Sequence, residues 1–281
     1  MSPVKPIKTF RDLLSFLTII PVGSKEDFIF TTAENVYFFP LIGGFIGLLA
    51  ATYFVGSSYI IQFLLSLVNS IISLPTDFLS KLAVAAMTIA FLLVITGLQH
   101  FDGLIDLGNA VGLGNLHDRK MVAHAWTVTY TGAVLAIFVE FVAFVGLFSI
   151  FSPLLAFGAI VAAEVSAKLA MVTIVWIGKP THKGLGSIFL AKAKKKLNLI
   201  AFGLSVLIVY PFFAYAFSPL LGLAGVAVVL VSIPIALAME KVSEKVFGGV
   251  SGDAIGATNE VARAVTFILL AVVFAVLAVL K

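Results

Sequence analysis

Polar residues do not alternate with apolar ones along most of this chain. They are missing for stretches of about twenty residues, the length that carries an α-helix across the hydrocarbon core of a bilayer. Seven such stretches stand out, at 38–68, 82–97, 131–151, 154–177, 197–217, 220–239 and 265–280. The first is long enough to tilt or to break near Gly56, and the second is short enough to end below the headgroups. Residues 1–36 hold a basic start and a short apolar run without a small-residue cleavage site, which predicts a retained interfacial segment. No polar domain, internal repeat, heptad pattern or low-complexity linker interrupts the series. The pattern therefore predicts an all-α, polytopic transmembrane helix bundle of about seven spans, one membrane domain covering 1–281.

The cations order the connections. Lys5, Lys8, Arg11 and Lys25 precede the first span. Arg119 and Lys120 lie in 98–130, six lysines from Lys179 to Lys196 in 178–196, and Lys241, Lys245 and Arg263 in 240–263. The alternate connections are nearly bare, with Asp77 and Lys81 in 69–81 and no charge near Pro153 or Pro219. Because Lys and Arg are retained on the cytoplasmic side, this alternation predicts a cytoplasmic N-terminus and cytoplasmic loops at 98–130, 178–196 and 240–263 in a multi-pass protein of the cell membrane. Composition agrees: 61% of residues are hydrophobic and 11% charged, against roughly 25% charged in soluble domains. The net charge of +4 is explained by lysines at a membrane surface, so the bilayer and not nucleic acid is the expected partner. With no cysteine, disulfides and thiolate metal sites are excluded.

Candidate chemistry gathers in those loops. TGLQHFDGLIDLGNAVG at 96–112 spaces Asp102 and Asp106 four residues apart, one helical face on which two carboxylates can share a divalent cation. Asn109 offers a carbonyl one turn on, and His100 precedes the pair. The same residues also suit a solvated helix end. FGGVSGDAIGATNEVAR at 247–263 combines glycines with Asp253, Asn259 and Glu260, so a helix starting near Thr258 would aim free N–H groups at an anion. A flexible turn and a cap for the last span fit it equally. In GKPTHKGLGSIF at 178–189, Lys179, His182 and Lys183 are candidates for ligand contact, while the following AKAKKK reads as membrane anchoring. Within the spans, Glu140, Glu164 and Lys168 are expected to face the bundle interior, Glu164 and Lys168 pairing at i, i+4. Gly43 and Gly47 form a small-xxx-small packing pattern.

Four of these stretches, in order, resemble the cobalamin synthase family, the adenosylcobinamide-GDP ribazoletransferases: FLTIIPVG, then YFFPLIGG at 37–44, HFDGLID at 100–106 and GDAIGATNE at 252–260. The likeness spans nearly the whole chain. It implies a membrane transferase that joins adenosylcobinamide-GDP and α-ribazole, or its 5′-phosphate, with release of GMP. It further implies Mg²⁺, with Asp102, Asp106 and Asp253 as its ligands, and with Asp102, Asp106, Asp253 and Glu260 as the catalytic set. Substrate contacts are implied for His100, Asn109, Lys179, His182, Lys183, Gly252, Gly256 and Asn259. The chain departs from the family where a third aspartate is usual, at Asn109. It departs again where a Lys-Asp pair, an arginine and a glycine are usual, at His124, Ala125, Thr127 and Thr129. A relative with altered substrate, or a small-molecule membrane transporter, is the competing reading. A homo-oligomer is compatible with the sequence.

Overall fold

The computed structural model describes residues 4–23, 28–122, 125, 127–150, 152–181, 184–193 and 195–279. Two short helices open the chain, α1 (Val4–Leu17) and α2 (Phe28–Glu34). They lead through a 3-10 turn into the first long helix, α3 (Phe39–Asn69), followed by α4 (Thr76–Ile95). Next come α5 (Gln99–Val111), α6 (Leu116–Val122), α7 (Tyr130–Phe148) and α8 (Pro153–Ile177). The series ends with α9 (Leu185–Lys192), α10 (Leu199–Ala216), α11 (Pro219–Leu230), α12 (Ser232–Phe247) and α13 (Gly252–Val279). Seven helical stretches are long and apolar enough to cross a membrane, α11 and α12 counting together as one. That number and their placement follow the hydropathy of the sequence.

Helix starts are set by local chemistry. Ser152 before Pro153 and Ser218 before Pro219 each accept a first-turn N–H on Oγ, from Leu155 at 3.4 Å and Leu221 at 3.2 Å, while proline supplies the fixed φ of a first helical position. Several boundaries differ from the hydropathy reading, and the choice it left open at Gly56 is decided. α3 runs unbroken through Gly56, because Gly56 lies inside a continuous apolar run that needs no break. α4 is a full 20 residues, since polar Thr76 and Asp77 serve as its first turn. The sixth crossing breaks at Val231, three residues before Pro234, which has no N–H to donate into the ladder.

α8 is the hub. Of its apolar window 89% is enclosed by other helices, against 22–44% for the other six spans. Alanines at 156, 159, 162, 163, 167 and 170 keep it slim. α3 closes on it through Gly43 and Gly47: a Cβ there would sit 2.5 Å from the Glu164 carbonyl oxygen and 2.7 Å from the Val161 Cα. On its other side α8 packs against α13. The 28 residues of α13 extend about 42 Å at 1.5 Å per residue, more than the hydrocarbon core needs.

Candidate active site

The chain leaves α4 through Gly97 and Leu98, both with positive φ, and the Leu98 N–H donates back to the Leu93 carbonyl at 2.9 Å. The reversal lays α5 across the bundle end as an amphipathic helix. His100, Gly103, Leu104, Leu107 and Gly108 are buried, Asp102 is exposed and Asp106 is half-buried. The 98–130 connection, read from sequence as a loop, is thus helical where its acids lie.

α13 meets α5 there. Gly248 ends α12 in the left-handed conformation, φ 74°, its N–H bonded to the Glu244 carbonyl at 2.8 Å. Val250 then donates to the Lys179 carbonyl at 2.7 Å, and Ser251 Oγ accepts the Ala254 N–H at 3.2 Å. This cap starts α13 at Gly252, not near Thr258 or at 265 as hydropathy and glycine content suggest. A serine cap and unbranched small residues let the helix begin as soon as the turn is complete. Asp253 consequently sits in the first turn, while Glu260 lies two turns deeper, about 10 Å along the axis.

The two helices touch through glycine. A Cβ on Gly103 would lie 2.6 Å from the Asp253 carbonyl oxygen, and one on Gly256 would lie 3.1 Å from the His100 Cα. Beside this contact opens a cavity of about 690 Å³. One wall is polar: Gln99, His100 and Asp102 from α5, with Gly252, Asp253 and Gly256 from α13. The other is apolar and includes Phe16, Phe39, Met171, Leu185 and Phe189. Gly184 and Gly186 close the rim, Gly186 so near α13 that a Cβ would be 2.6 Å from the Gly252 nitrogen.

Charge in the site is unbalanced. Burial first, then the charges of Asp253 and Asp102, push the Asp106 carboxyl up to about 7, with Asn109 opposing. Burial, then the charges of Lys168 and Arg263, hold His100 well below its ordinary value, so its imidazole is neutral at neutral pH. Among the described residues no three acid or histidine side chains form a ready-made metal cage. Still, carboxylates gathered this closely suit a hard divalent cation whose remaining ligands come from phosphate oxygens and water. This donor set fits Mg²⁺.

Beneath the cavity floor lies a buried ionic cluster. Glu164 Oε2 accepts from Lys168 Nζ at 3.1 Å, the i, i+4 pair expected from sequence, and its Oε1 accepts from Arg263 Nε at 2.6 Å. Arg263 also binds Glu260, while Lys168 donates to Asn259 Oδ1 at 2.8 Å. Asn259 in turn donates to Glu260 Oε1 at 3.0 Å. Glu260 Oε1 is 3.8 Å from His100 Nδ1, too far for a hydrogen bond, and that nitrogen has no partner among the described residues. Arg263, counted above as a cytoplasmic loop cation, is fully buried inside the bundle. Its charge is spent on two glutamates, so it says nothing about topology.

The other site candidates are spread out. Asn109 faces away from the cavity: its amide donates to the Thr127 carbonyl at 2.8 Å and its Oδ1 accepts from Thr129 N and Oγ1 at 2.9 and 2.7 Å. Lys179 is exposed and joins the site through its backbone carbonyl. His182, Lys183 and His124 lie outside the described residues. Sequence reading missed the aromatic wall, because Phe16 sits in a segment read as interfacial and Phe189 ends a loop read only for its cations. A visible signal was the pairing of glycines at 184 and 186 with an apolar helix directly after them.

A family model described as cobalamin-5-phosphate synthase matches residues 9–272. The chain belongs to the cobalamin-5-phosphate synthase family. A protein of Methanosarcina barkeri named adenosylcobinamide-GDP ribazoletransferase is 30% identical across 94% of this chain and 91% of its own length. Its namesake in Methanosarcina mazei is 31% identical with the same coverage, and that of Pyrococcus abyssi is 31% identical across 92% of this chain and 96% of its own. Every residue of the cavity and of the cluster beneath it falls within the span matched to cobalamin-5-phosphate synthase. No solved structure matches the chain.

Proposed function

We propose that the protein is an adenosylcobinamide-GDP ribazoletransferase of cobalamin synthesis. The observation that carries this is the meeting of the HFDGLID and GDAIGATNE motifs, some 150 positions apart, at one cavity in a chain of this family. The ribose hydroxyl oxygen of α-ribazole, or of its 5′-phosphate, attacks the cobinamide-side phosphorus of adenosylcobinamide-GDP. The bond from that phosphorus to the GMP oxygen breaks, and GMP leaves. The hydroxyl proton passes to an acceptor of the polar wall.

This chain has three tasks in that step. The backbone N–H of Gly252, at the start of α13, meets a phosphate oxygen, as helix N-termini do. Asp102, Asp106 and Asp253 hold Mg²⁺, which when bound offsets the charge of the diphosphate. The neutral His100, at the cavity wall, holds a substrate oxygen. The cavity opens to the cytoplasm in the cell membrane, consistent with the cation-rich connections beside it.

The experiment is GMP release from adenosylcobinamide-GDP by detergent-purified protein with Mg²⁺. Release only when α-ribazole is present is the expected result, and release that ignores α-ribazole sinks the reading. A transporter would place an open site at the bilayer midplane. The cavity instead lies where the capped start of α13 meets α5, and Glu164, Lys168 and Arg263 beneath it pair with one another.

A further inference from the structure

We infer that the aromatic wall formed by Phe16, Phe39 and Phe189 is the seat of the flat base of the ribazole, and that the guanine of the other substrate does not enter it. The inference rests on the transferase reading and says which part of which substrate meets which wall. Three separate helices deliver the rings: Phe16 from α1, Phe39 from the start of α3 and Phe189 from α9. Phe16 and Phe189 have centroids 4.8 Å apart with planes tilted by 32°, and Phe39 completes the group at 6.4 and 6.2 Å. Met171 extends the same surface from the hub helix. Such clusters ordinarily fill a core, and Phe39 and Phe189 are only 1% and 3% exposed, but half-buried Phe16 turns the edge of this one to a cavity shared with Asp102 and Asp253.

Chemistry decides the occupant. The ribazole base is a fused, methylated aromatic whose faces and far edge are apolar, so it loses little on leaving water and gains stacking. Guanine carries donors and acceptors around its edge, and Phe, Met and Leu can satisfy none of them. The size fits as well: about 690 Å³ is the scale of a site for a drug-sized molecule, ample for a nucleoside. With the base on the rings, the sugar faces the polar wall, and the phosphates of the larger substrate must approach from the α13 side.

The test uses the full chain in nanodiscs with Mg²⁺. Phe16→Leu and Phe189→Leu keep apolar volume and remove the π face; Phe189→Ala removes both. Phe148→Leu, in an aromatic stack at the far end of α7, controls for general loosening of the bundle. KM is measured for each substrate, and equilibrium dialysis of α-ribazole is run without the corrinoid. The Phe16 and Phe189 variants are expected to raise the α-ribazole KM and its dialysis constant between about 5-fold and 100-fold, leaving the adenosylcobinamide-GDP KM within about twofold. A rise confined to the adenosylcobinamide-GDP KM would put guanine on the rings and overturn the inference. Unchanged constants for both would leave the wall to a lipid chain and overturn it too. Wild-type protein that releases no GMP defeats the transferase reading, and dialysis still decides the base seat.

Discussion

Gly103 and Asp253 are in backbone contact, with room for no Cβ between the α5 helix and the Asp253 carbonyl oxygen, 2.6 Å from where that Cβ would stand. This contact brings together two acid motifs that the sequence holds far apart. It also sets their repulsion, because Asp106 feels the Asp253 charge before that of its own neighbour Asp102.

Gly103→Val should therefore separate α5 from α13 and impair the reaction without unfolding the spans. We expect GMP release to fall by two orders of magnitude or more, as displaced catalytic groups lose orientation, while circular dichroism in detergent keeps its helical signal. Full activity would mean that the two helices need not touch.

Asp102→Asn should abolish GMP release while the protein still expresses and binds α-ribazole. Loss of one carboxylate from a metal and phosphate site costs catalysis and leaves the aromatic wall intact. Chelation of divalent cations should reproduce the loss in the wild type, and restored Mg²⁺ should reverse it. Turnover that survives either treatment would reject the metal assignment.

The Asp106 carboxyl makes stability depend on pH in a defined sense. Its value is raised from 3.8 to about 7 in the folded protein, so between those values the native state binds more protons than the unfolded one. Stability without divalent cation should fall as pH rises from about 4 to about 7 and level off above. Asp106→Asn should flatten that slope, and Mg²⁺ should do the same by neutralising the acids. Thermal unfolding in detergent at a series of pH values reads both effects; a slope indifferent to Asp106→Asn would count against it.

Arg263→Met should destabilise the bundle by about 3–5 kcal/mol, because Glu164 and Glu260 would be left as buried carboxylates without their shared cation. Arg263→Lys should recover only part, since an ammonium cannot span two carboxylates as a planar fork does. Denaturant unfolding monitored by tryptophan fluorescence gives the ranking.

The absence of native cysteine makes topology easy to read. In sealed right-side-out vesicles a membrane-impermeant maleimide should label Ile72→Cys and spare Gly114→Cys and Lys179→Cys, all at exposed positions. The opposite pattern would reverse the proposed orientation.

Apolar run length alone determined that this is a seven-span helical bundle, since crossing a bilayer demands about twenty apolar residues whatever their partners. The order of short motifs determined the family, and the i, i+4 spacing the Glu164–Lys168 pair. Tertiary structure decided what spacing cannot carry. It sent Arg263 and Glu260 into the core instead of the loop, turned Asn109 toward Thr129, began the last helix at Gly252, and gathered Phe16, Phe39 and Phe189 around one cavity. Hydropathy reports whether a side chain prefers to leave water. Which neighbour then receives it depends on how helices from distant parts of the chain pack.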